Sequence, residues 1–257
     1  MKIAICQLDM VWEDKAATKA KILSLLKSRP SQERMDWLVF PEMTLSGFSM
    51  DKEKSTLDAS DRAFFADLAR RQQAFVSYGG VQDGRNDLIT VDPSGQTVSA
   101  YSKIHLYSFG KEDQTYRPGD RLDKFPLLGL RVVPAVCFDL RFPYLFWNAA
   151  ADTDLFVVIA SWPARRSEHW MRLLQARAIE NQCYVVGVNR TGRDPLLEYS
   201  GNSMVFDPLG KVVLDCGTAE GVFTAAGDVD QALVAKTRTR FPFIKDRRPD
   251  FACAPAR

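Results

Sequence analysis

Four residues in this sequence have side chains that together can break an acyl bond: Glu42, Lys103, Glu112 and Cys137. A cysteine beside an ammonium group gains thiolate character and becomes a nucleophile. A neighbouring carboxylate can take the thiol proton and return it to a leaving amine, and the ammonium can stabilise the oxyanion of a tetrahedral intermediate. These residue types therefore indicate covalent catalysis, provided that the fold brings them together.

Each of the four residues also has a structural interpretation. Free cysteine is among the most buried residue types, so Cys137 taken alone favours an inert thiol at the end of a strand. Glu42 follows a proline and suits the start of a helix, while Lys103 and Glu112 are typical of solvated loop charges. The catalytic hypothesis therefore depends on the residues acting as a set.

The elements that must position these residues are predicted from hydrophobic periodicity. Short apolar or β-branched runs predict ten strands, over residues 2–8, 36–40, 74–80, 88–91, 98–101, 132–137, 155–160, 183–189, 204–206 and 211–214. Helical spacing predicts amphipathic helices over residues 14–28, 61–73 and 167–182. The alternation predicts an α/β fold, in which the four residues fall at or just after strand carboxyl ends, where a ligand crevice forms.

Two predicted strand pairs break this alternation, and both are joined by an Asp-Pro-x-Gly turn, at residues 92–95 and 207–210. The match suggests a weak internal duplication in which each half contributes a mixed sheet that ends in a hairpin. Since no Gly/Ser-rich linker separates the halves, we expect one domain over residues 1–257. From about residue 240 onward we expect an extended C-terminal tail that lies on the body or on a partner.

The strings around these residues occur in one order, and this ordered set resembles the nitrilase, or carbon–nitrogen hydrolase, superfamily. The resemblance covers residues 2 to about 240. The strings are Phe40-Pro41-Glu42, Tyr101-Ser102-Lys103-Ile104-His105-Leu106, Glu112 ahead of Pro118-Gly119-Asp120, Cys137-Phe138-Asp139-Leu140-Arg141-Phe142-Pro143, Ala160-Ser161-Trp162-Pro163, Gln175-Ala176-Arg177-Ala178-Ile179-Glu180-Asn181-Gln182 and Gly187-Val188-Asn189-Arg190.

The resemblance implies a four-layer αββα sandwich of two mixed sheets with pseudo-twofold halves. It also implies that Glu42 is the general base, Cys137 the nucleophile and Lys103 the stabiliser of the oxyanion and a candidate proton donor. By the same resemblance, Glu112 orients Lys103 or the substrate. No metal or other cofactor is expected, and we expect a homodimer or a higher homo-oligomer.

Within the superfamily, the strings around Trp162 and residues 176–182 are most similar to the omega-amidase branch. Members of that branch hydrolyse the terminal amide of 2-oxoglutaramate or 2-oxosuccinamate to the dicarboxylate and ammonia. The substrate carboxylate requires an Arg fork or backbone N–H groups, and Arg165 and Arg166 are candidates, although a solvated Arg pair fits them equally well. Phe138 and Trp162 are candidates for the pocket wall, and Trp162 also suits the core. For Arg141, occurrence in the wider superfamily string favours a structural ion pair.

Several other functions remain open at this stage. Within the superfamily the runner-up is an amidase for another small amide, such as deaminated glutathione or an N-carbamoyl amino acid, and a true nitrilase ranks lower. A Cys–His hydrolase would require His105 or His169 beside the cysteine, and packing or hydrogen bonding is favoured for His105. A non-enzymatic metabolite-binding or scaffold protein on the same fold has no chemical need for all four residues.

The amino-acid composition limits the classes of molecule that this protein is expected to bind. The 257 residues carry 34 Lys plus Arg and 32 Asp plus Glu, a formal charge of +2, which argues against nucleic-acid binding. With 46% hydrophobic residues and no uncharged run long enough for a membrane span, the sequence predicts a soluble, cytoplasmic protein that acts on a small molecule. The five cysteines form no Cys-x-x-Cys pair, which disfavours a disulfide framework or a zinc site.

Overall fold

The structure is a computed structural model that describes residues 1–29, 34–225 and 227–248. Its fourteen strands are β1 (Ile3–Gln7), β2 (Trp37–Val39), β3 (Phe75–Gln82), β4 (Arg85–Val91), β5 (Thr97–Ser102), β6 (Phe125–Leu127), β7 (Leu130–Val136), β8 (Leu155–Ala160), β9 (Tyr184–Asn189), β10 (Thr191–Arg193), β11 (Glu198–Ser200), β12 (Met204–Phe206), β13 (Val212–Asp215) and β14 (Gly221–Thr224). Its α-helices are α1 (Lys15–Lys27), α2 (Lys52–Ser55), α3 (Ala59–Gln72), α4 (Glu112–Thr115), α5 (Pro143–Ala149), α6 (Ser167–Asn181) and α7 (Gln231–Arg240).

Two six-stranded mixed sheets have the same internal plan. One runs β14-β1-β2-β3-β4-β5 and the other β6-β7-β8-β9-β12-β13, while β10 and β11 pair separately. In each large sheet three parallel strands lie side by side, an antiparallel hairpin follows at one edge, and a short antiparallel strand covers the other. The predicted pseudo-twofold halves are thus confirmed.

The two predicted hairpin turns are built by the same hydrogen bonds. Asp92 Oδ1 accepts from the backbone N–H groups of Ser94 and Gln96, at 2.9 and 3.0 Å. Asp207 Oδ1 accepts from Leu209 and Lys211, at 2.8 and 2.9 Å. The glycine that ends each turn has a positive φ, +82° at position 95 and +76° at position 210, which only glycine adopts without strain.

Successive side chains of a strand point to opposite faces of the sheet. The apolar side chains therefore form three layers of core, one between the two sheets and one on the outer face of each sheet. In β2, for example, Val39 faces the other sheet, where it belongs to a cluster with Val136 of β7 and Ile159 of β8, whereas Leu38 faces outward. The outward face of the first sheet is covered by α1 and α3, and that of the second sheet by α5 and α6. Helix, sheet, sheet and helix therefore form the predicted four-layer αββα sandwich.

Within the described residues, all ten predicted strands are present, eight of them with shifted ends, and four short strands were missed. The strands β10 and β11 carry polar residues, and β6 and β14 have only three and four residues, so none shows a clear period of two. The three predicted helices correspond to α1, α3 and α6. Within the described residues, no helix is both long enough and apolar enough to cross a membrane.

The C-terminal segment is partly helical rather than wholly extended. After α7, residues Phe243–Asp246 form a 3₁₀ turn, and Arg247 donates to the backbone oxygens of Trp147 and Glu180, at 2.9 and 2.6 Å. The described part of the predicted tail therefore lies against α5 and α6. The remainder, residues 249–257, lies outside the described residues.

Candidate active site

Glu42 lies just beyond the carboxyl end of β2, in a segment packed tightly against β3. The backbone N–H of Thr44 donates to Gly79 O at 3.0 Å, and Thr44 Oγ1 accepts from Gly79 N at 3.1 Å. A Cβ at position 79 would lie 2.7 Å from Glu42 Cα, so glycine is required for this close approach. The packing fixes the glutamate backbone in the interior, where its side chain is fully buried.

The Glu42 carboxylate is held from three directions. Its Oε1 accepts from Lys103 Nζ at 2.9 Å and from Asn86 Nδ2 at 2.8 Å, and its Oε2 accepts from the backbone N–H of Ser161 at 2.8 Å. Charge-assisted hydrogen bonds of this kind stabilise a buried carboxylate in one orientation.

Lys103 follows β5 and lies buried between two carboxylates. Its Nζ is 2.9 Å from Glu42 Oε1 and 2.8 Å from Glu112 Oε2, and it lies 5.3 Å from the centre of the Phe48 ring. Burial by itself lowers the pKa of the ammonium, but the charges of Glu112 and Glu42 outweigh burial and raise this pKa above its ordinary value. Lys103 is therefore a permanent cation at neutral pH.

Glu112 is the first residue of the short helix α4, and its oxygens link three segments. Oε1 accepts from Asn86 Nδ2 at 2.8 Å and Oε2 from the backbone N–H of Tyr107 at 2.7 Å, in addition to Lys103. Asn86, near the start of β4, thus bridges Glu42 and Glu112. The sequence analysis missed Asn86, since a lone asparagine ahead of an apolar run carries no recognisable signal.

Cys137 stands at a sharp bend where β7 passes into the 3₁₀ turn Cys137–Arg141. Its φ of +47° is unusual for a residue with a Cβ, and such conformations persist only where the surroundings enforce them. Asp139 supplies that enforcement. Its Oδ2 accepts from Val136 N at 3.0 Å and from Tyr101 Oη at 2.8 Å, and its Oδ1 accepts from His105 N at 2.9 Å.

Burial and the neighbouring charges both act on the pKa of the Cys137 thiol. Burial raises the pKa of the thiol well above its ordinary value, the negative charge of Glu42 raises it further, and Lys103 opposes the rise. A nucleophilic Cys137 would therefore need a base to remove its proton as a bond forms.

Cys137 and Lys103 line one cavity of about 690 Å³, and seven of its lining residues are aromatic. Phe138 and Trp162 both line it, as expected from the sequence. Trp162 also packs against Trp170, with ring centroids 5.6 Å apart, so this residue belongs to the core as well as to the wall.

Three arginines line the same cavity. Arg165 is exposed at its rim, whereas Arg166 is half-buried and donates to Tyr107 Oη at 3.3 Å. Arg141 lies over the Trp162 ring at 4.7 Å, and burial together with the positive charge of Arg166 lowers its pKa. Among the described residues no carboxylate pairs with Arg141, so the expected structural ion pair is wrong.

The two histidines lie outside the Glu42–Lys103 cluster. His105 Nδ1 is 2.8 Å from Asp139 Oδ1, its Nε2 contacts Tyr144 Oη, and its ring stacks on Phe142 at 3.8 Å. His169 Nδ1 lies 3.3 Å from an Arg141 nitrogen at the surface. In residues 1–29, 34–225 and 227–248, no group of three or more His, Cys, Asp or Glu side chains is arranged to hold a metal ion.

Comparison with known proteins adds a family and named relatives. A family model described as carbon-nitrogen hydrolase matches residues 2–239. Omega-amidase YafV of Escherichia coli strain K12 is 34% identical over 252 residues, which span 96% of each chain. The 2-oxoglutaramate amidase of Bacillus subtilis strain 168 is 31% identical over 224 residues, covering 84% of this chain and 86% of that one. The crystal structure of XC1258 from Xanthomonas campestris, a CN-hydrolase superfamily protein with an arsenic adduct in its active site, superposes with a TM-score of 0.88 at 32% identity, covering 96% of this chain and 97% of that chain.

Proposed function

The chain belongs to the carbon–nitrogen hydrolase family, and we propose that it is an omega-amidase that hydrolyses the terminal amide of 2-oxoglutaramate or 2-oxosuccinamate. Its relatives make it a hydrolase of carbon–nitrogen bonds other than peptide bonds. One observation carries the finer proposal: the cavity that holds Cys137 and the buried Lys103 is also lined by Arg141 and Arg166, cations without a carboxylate partner among the described residues.

In the proposed first half-reaction, Cys137 Sγ attacks the amide carbon while Glu42 takes the thiol proton. The carbonyl electron pair moves to oxygen, where Lys103 Nζ and the backbone N–H of Phe138 stabilise the negative charge. The oxyanion then collapses, the carbon–nitrogen bond breaks, and Glu42 returns the proton to the departing nitrogen. The products of this half are a thioester on Cys137 and ammonia.

In the second half-reaction, water takes the place of ammonia. Glu42 removes a proton from the water as its oxygen attacks the thioester, the carbon–sulfur bond breaks, and the proton reaches the sulfur. The acid product leaves and the thiol is restored. Glu112 holds Lys103 in place throughout, since its carboxylate bonds the ammonium at 2.8 Å.

Selectivity in this proposal comes from two cavity-lining arginines that repel each other and that have no ion-pair partner among the described residues. Mutual repulsion of Arg141 and Arg166 is relieved when a carboxylate binds between them, which favours a substrate with an α-carboxylate. Glutamine has the same carboxylate and terminal amide but carries an α-ammonium close to these cations, so we expect it to be a poorer substrate than 2-oxoglutaramate.

A longer amide, such as deaminated glutathione, is a second candidate because of the size of the cavity. A volume of about 690 Å³ lies within the range of pockets that enclose drug-sized ligands, whereas 2-oxoglutaramate has only about ten non-hydrogen atoms.

An ammonia-release assay distinguishes the candidates. We expect 2-oxoglutaramate or 2-oxosuccinamate to be hydrolysed faster than glutamine, an N-carbamoyl amino acid, deaminated glutathione or a nitrile at equal concentration. Arg141→Met and Arg166→Met should each raise the KM for 2-oxoglutaramate by roughly 10- to 150-fold, the loss of one charge-assisted hydrogen bond. Arg165→Met is the matched control, because this side chain is exposed at the rim. Faster turnover of glutamine or of a neutral amide would refute the proposed substrate.

We also propose that the protein is a cytoplasmic homo-oligomer. The apolar side chains of Ile179 on α6 and of Leu209 and Val212 around the adjoining hairpin turn are exposed, and such groups commonly mark contact surfaces. Free buried thiols at Cys6, Cys183 and Cys216 are typical of a reducing compartment. Light scattering during size-exclusion chromatography measures the subunit number, and a monomer at micromolar concentration would contradict self-association.

A further inference from the structure

Ser161 lies beside the nucleophile because the two residues follow neighbouring parallel strands. Cys137 comes directly after β7 and Ser161 directly after β8, and the register pairs Val136 of β7 with Ile159 of β8. Both residues therefore reach the same edge of the second sheet, and both line the cavity.

The backbone that carries Ser161 is rigidly held. Its own N–H donates to Glu42 Oε2 at 2.8 Å. The next residue, Trp162, donates its N–H to Asn189 Oδ1 at 2.7 Å and accepts from Asn189 Nδ2 at 3.0 Å. The Ser161 side chain is thus presented at a fixed point beside the Glu42 carboxylate.

The Ser161 hydroxyl itself has no partner. Seven buried side-chain polar atoms in the described part of the chain lack a hydrogen bond, and of these only Ser161 Oγ belongs to a residue that lines the cavity. Burying a hydroxyl without a partner opposes folding, and unsatisfied groups of this kind in native proteins call for a functional explanation. Because Ser161 lines the cavity, its hydroxyl is accessible to a polar group of a bound substrate.

We propose that Ser161 is a further catalytic residue, whose hydroxyl accepts one N–H of the substrate carboxamide and holds the nitrogen beside Glu42. The inference rests on the proposed amide hydrolysis. The carboxamide has two N–H groups, and a contact to Ser161 fixes the nitrogen so that its lone pair faces the proton carried by Glu42 as the tetrahedral intermediate forms.

In this proposal the contact between the Ser161 hydroxyl and the carboxamide N–H affects only the half-reaction in which the carbon–nitrogen bond breaks. When the carbon–nitrogen bond breaks, its electron pair goes to nitrogen, the proton taken from the Cys137 thiol passes from Glu42 to that nitrogen, and ammonia leaves. An ester with the same acyl group gives the same thioester but has no N–H for Ser161 to accept. A carboxamide and an ester that share an acyl group therefore isolate the role of the hydroxyl.

The test compares Ser161→Ala with the unmodified enzyme on glutaramate and monomethyl glutarate, and on the neutral pair propionamide and methyl propionate. We expect kcat/KM for the carboxamide to fall by about 10- to 100-fold, the loss of one buried hydrogen bond, with the ester changed by less than about 3-fold. Ser161→Thr, which keeps a hydroxyl, should recover part of the carboxamide activity.

Ser77→Ala is the matched control. Ser77 Oγ is also buried, but it accepts from Trp37 Nε1 at 2.8 Å and bonds Thr90 Oγ1 at 2.7 Å within the first sheet. Its removal should leave the ratio of carboxamide to ester turnover unchanged.

Four outcomes would overturn the assignment. Equal losses on carboxamide and ester would mean that Ser161 acts on the shape of the site, and an unchanged carboxamide rate would mean that the hydroxyl makes no contact. A matching loss in the rate at which N-ethylmaleimide alkylates Cys137 would mean that Ser161 acts through the thiol.

The two substrate pairs also distinguish failure of the proposed function from failure of the Ser161 assignment. If glutaramate is not hydrolysed but propionamide is, the proposed substrate class fails while the neutral pair still tests Ser161. If only the esters are hydrolysed, both proposals fail.

Discussion

At the scale of single residues, the proposed mechanism assigns different roles to the Cys137 thiol and to the Lys103 ammonium. Burial raises the pKa of the Cys137 thiol, so the proposed attack requires a base, which is the role that we propose for Glu42. Lys103 remains charged because Glu112 and Glu42 more than offset the effect of burial on its pKa. The cluster therefore holds a cation ready before any negative charge develops on the substrate.

The nucleophile prediction follows from this arrangement. Cys137→Ala should abolish turnover, and Cys137→Ser should leave very little, because a serine hydroxyl is a far weaker nucleophile than a thiol assisted by the same base. Mass spectrometry of enzyme quenched soon after mixing with substrate should reveal an acyl adduct on Cys137. Cys216→Ala is a suitable control with near-normal turnover, and adducts on other cysteines alone would rule out the assignment.

The Lys103 prediction concerns the oxyanion. Lys103→Met keeps the length of the side chain but removes the charge, so we expect kcat to fall by about 100- to 1000-fold, as for the deletion of one oxyanion contact. Steady-state kinetics measures the loss. The exposed Lys124 offers a control, since Lys124→Met should change kcat little. Activity of Lys103→Met within a few fold of the unmodified enzyme would contradict the proposed role.

At the scale of elements, the bend after β7 depends on one buried carboxylate. Asp139 accepts from Val136 N, Tyr101 Oη and His105, and so ties the segment that carries Cys137 to the segment that follows Lys103. The positive φ of Cys137 is enforced by this connection.

The contribution of this bend to stability can be tested by replacing Asp139 and His105 separately. Asp139→Ala leaves several buried donors without an acceptor and should lower the free energy of unfolding by roughly 3 kcal/mol or more. His105→Asn removes a ring that bonds and stacks but does not line the cavity, so the loss should be about 1 to 3 kcal/mol, with most activity retained. Urea denaturation and kinetics at 25 °C measure both. Inactivation by His105→Asn as complete as that by Cys137→Ala would instead favour a Cys–His hydrolase.

The elements also explain which parts of the site were predictable from the sequence. Glu42, Lys103 and Cys137 each follow a strand with a recognisable apolar run, so their positions at strand carboxyl ends followed from the α/β pattern. Asn86 lies two residues ahead of the predicted start of β4, where polar and apolar residues alternate weakly, and its role appears only when Glu42 and Glu112 meet across it. The partial burial of Arg141 depends on how the turn after β7 packs on Trp162, which periodicity does not specify.

At the scale of the whole molecule, one buried acid in the first sheet links stability to pH. Burial raises the pKa of Asp87 in β4 to about 6, and its Oδ1 has no hydrogen-bond partner. Because the folded state binds this proton more tightly than the unfolded chain, the Asp87 contribution is fully favourable below about pH 4 and is lost as the pH rises through about 6.

The stability prediction compares Asp87→Asn with the unmodified protein. The two should have similar free energies of unfolding near pH 4, and the variant should become the more stable by about 1 to 3 kcal/mol at pH 7. The difference between the two proteins is the quantity to follow, because paired acids such as Asp61, whose pKa is lowered, change stability in the opposite direction. Asp67→Asn, at an exposed position, is the control. A difference that does not grow between pH 4 and pH 7 would refute the assignment.

The order of strands in the two sheets has a consequence for biosynthesis. The second large sheet comes from one stretch of chain, from β6 to β13, so all its pairings are available before translation ends. The first sheet is different, since β14 pairs with β1 and the N-terminal ammonium donates to Val229 O at 3.1 Å. As the ribosome extends the chain, β1 therefore keeps an open edge until β14 has emerged, and the sheet that is begun first is the one completed last.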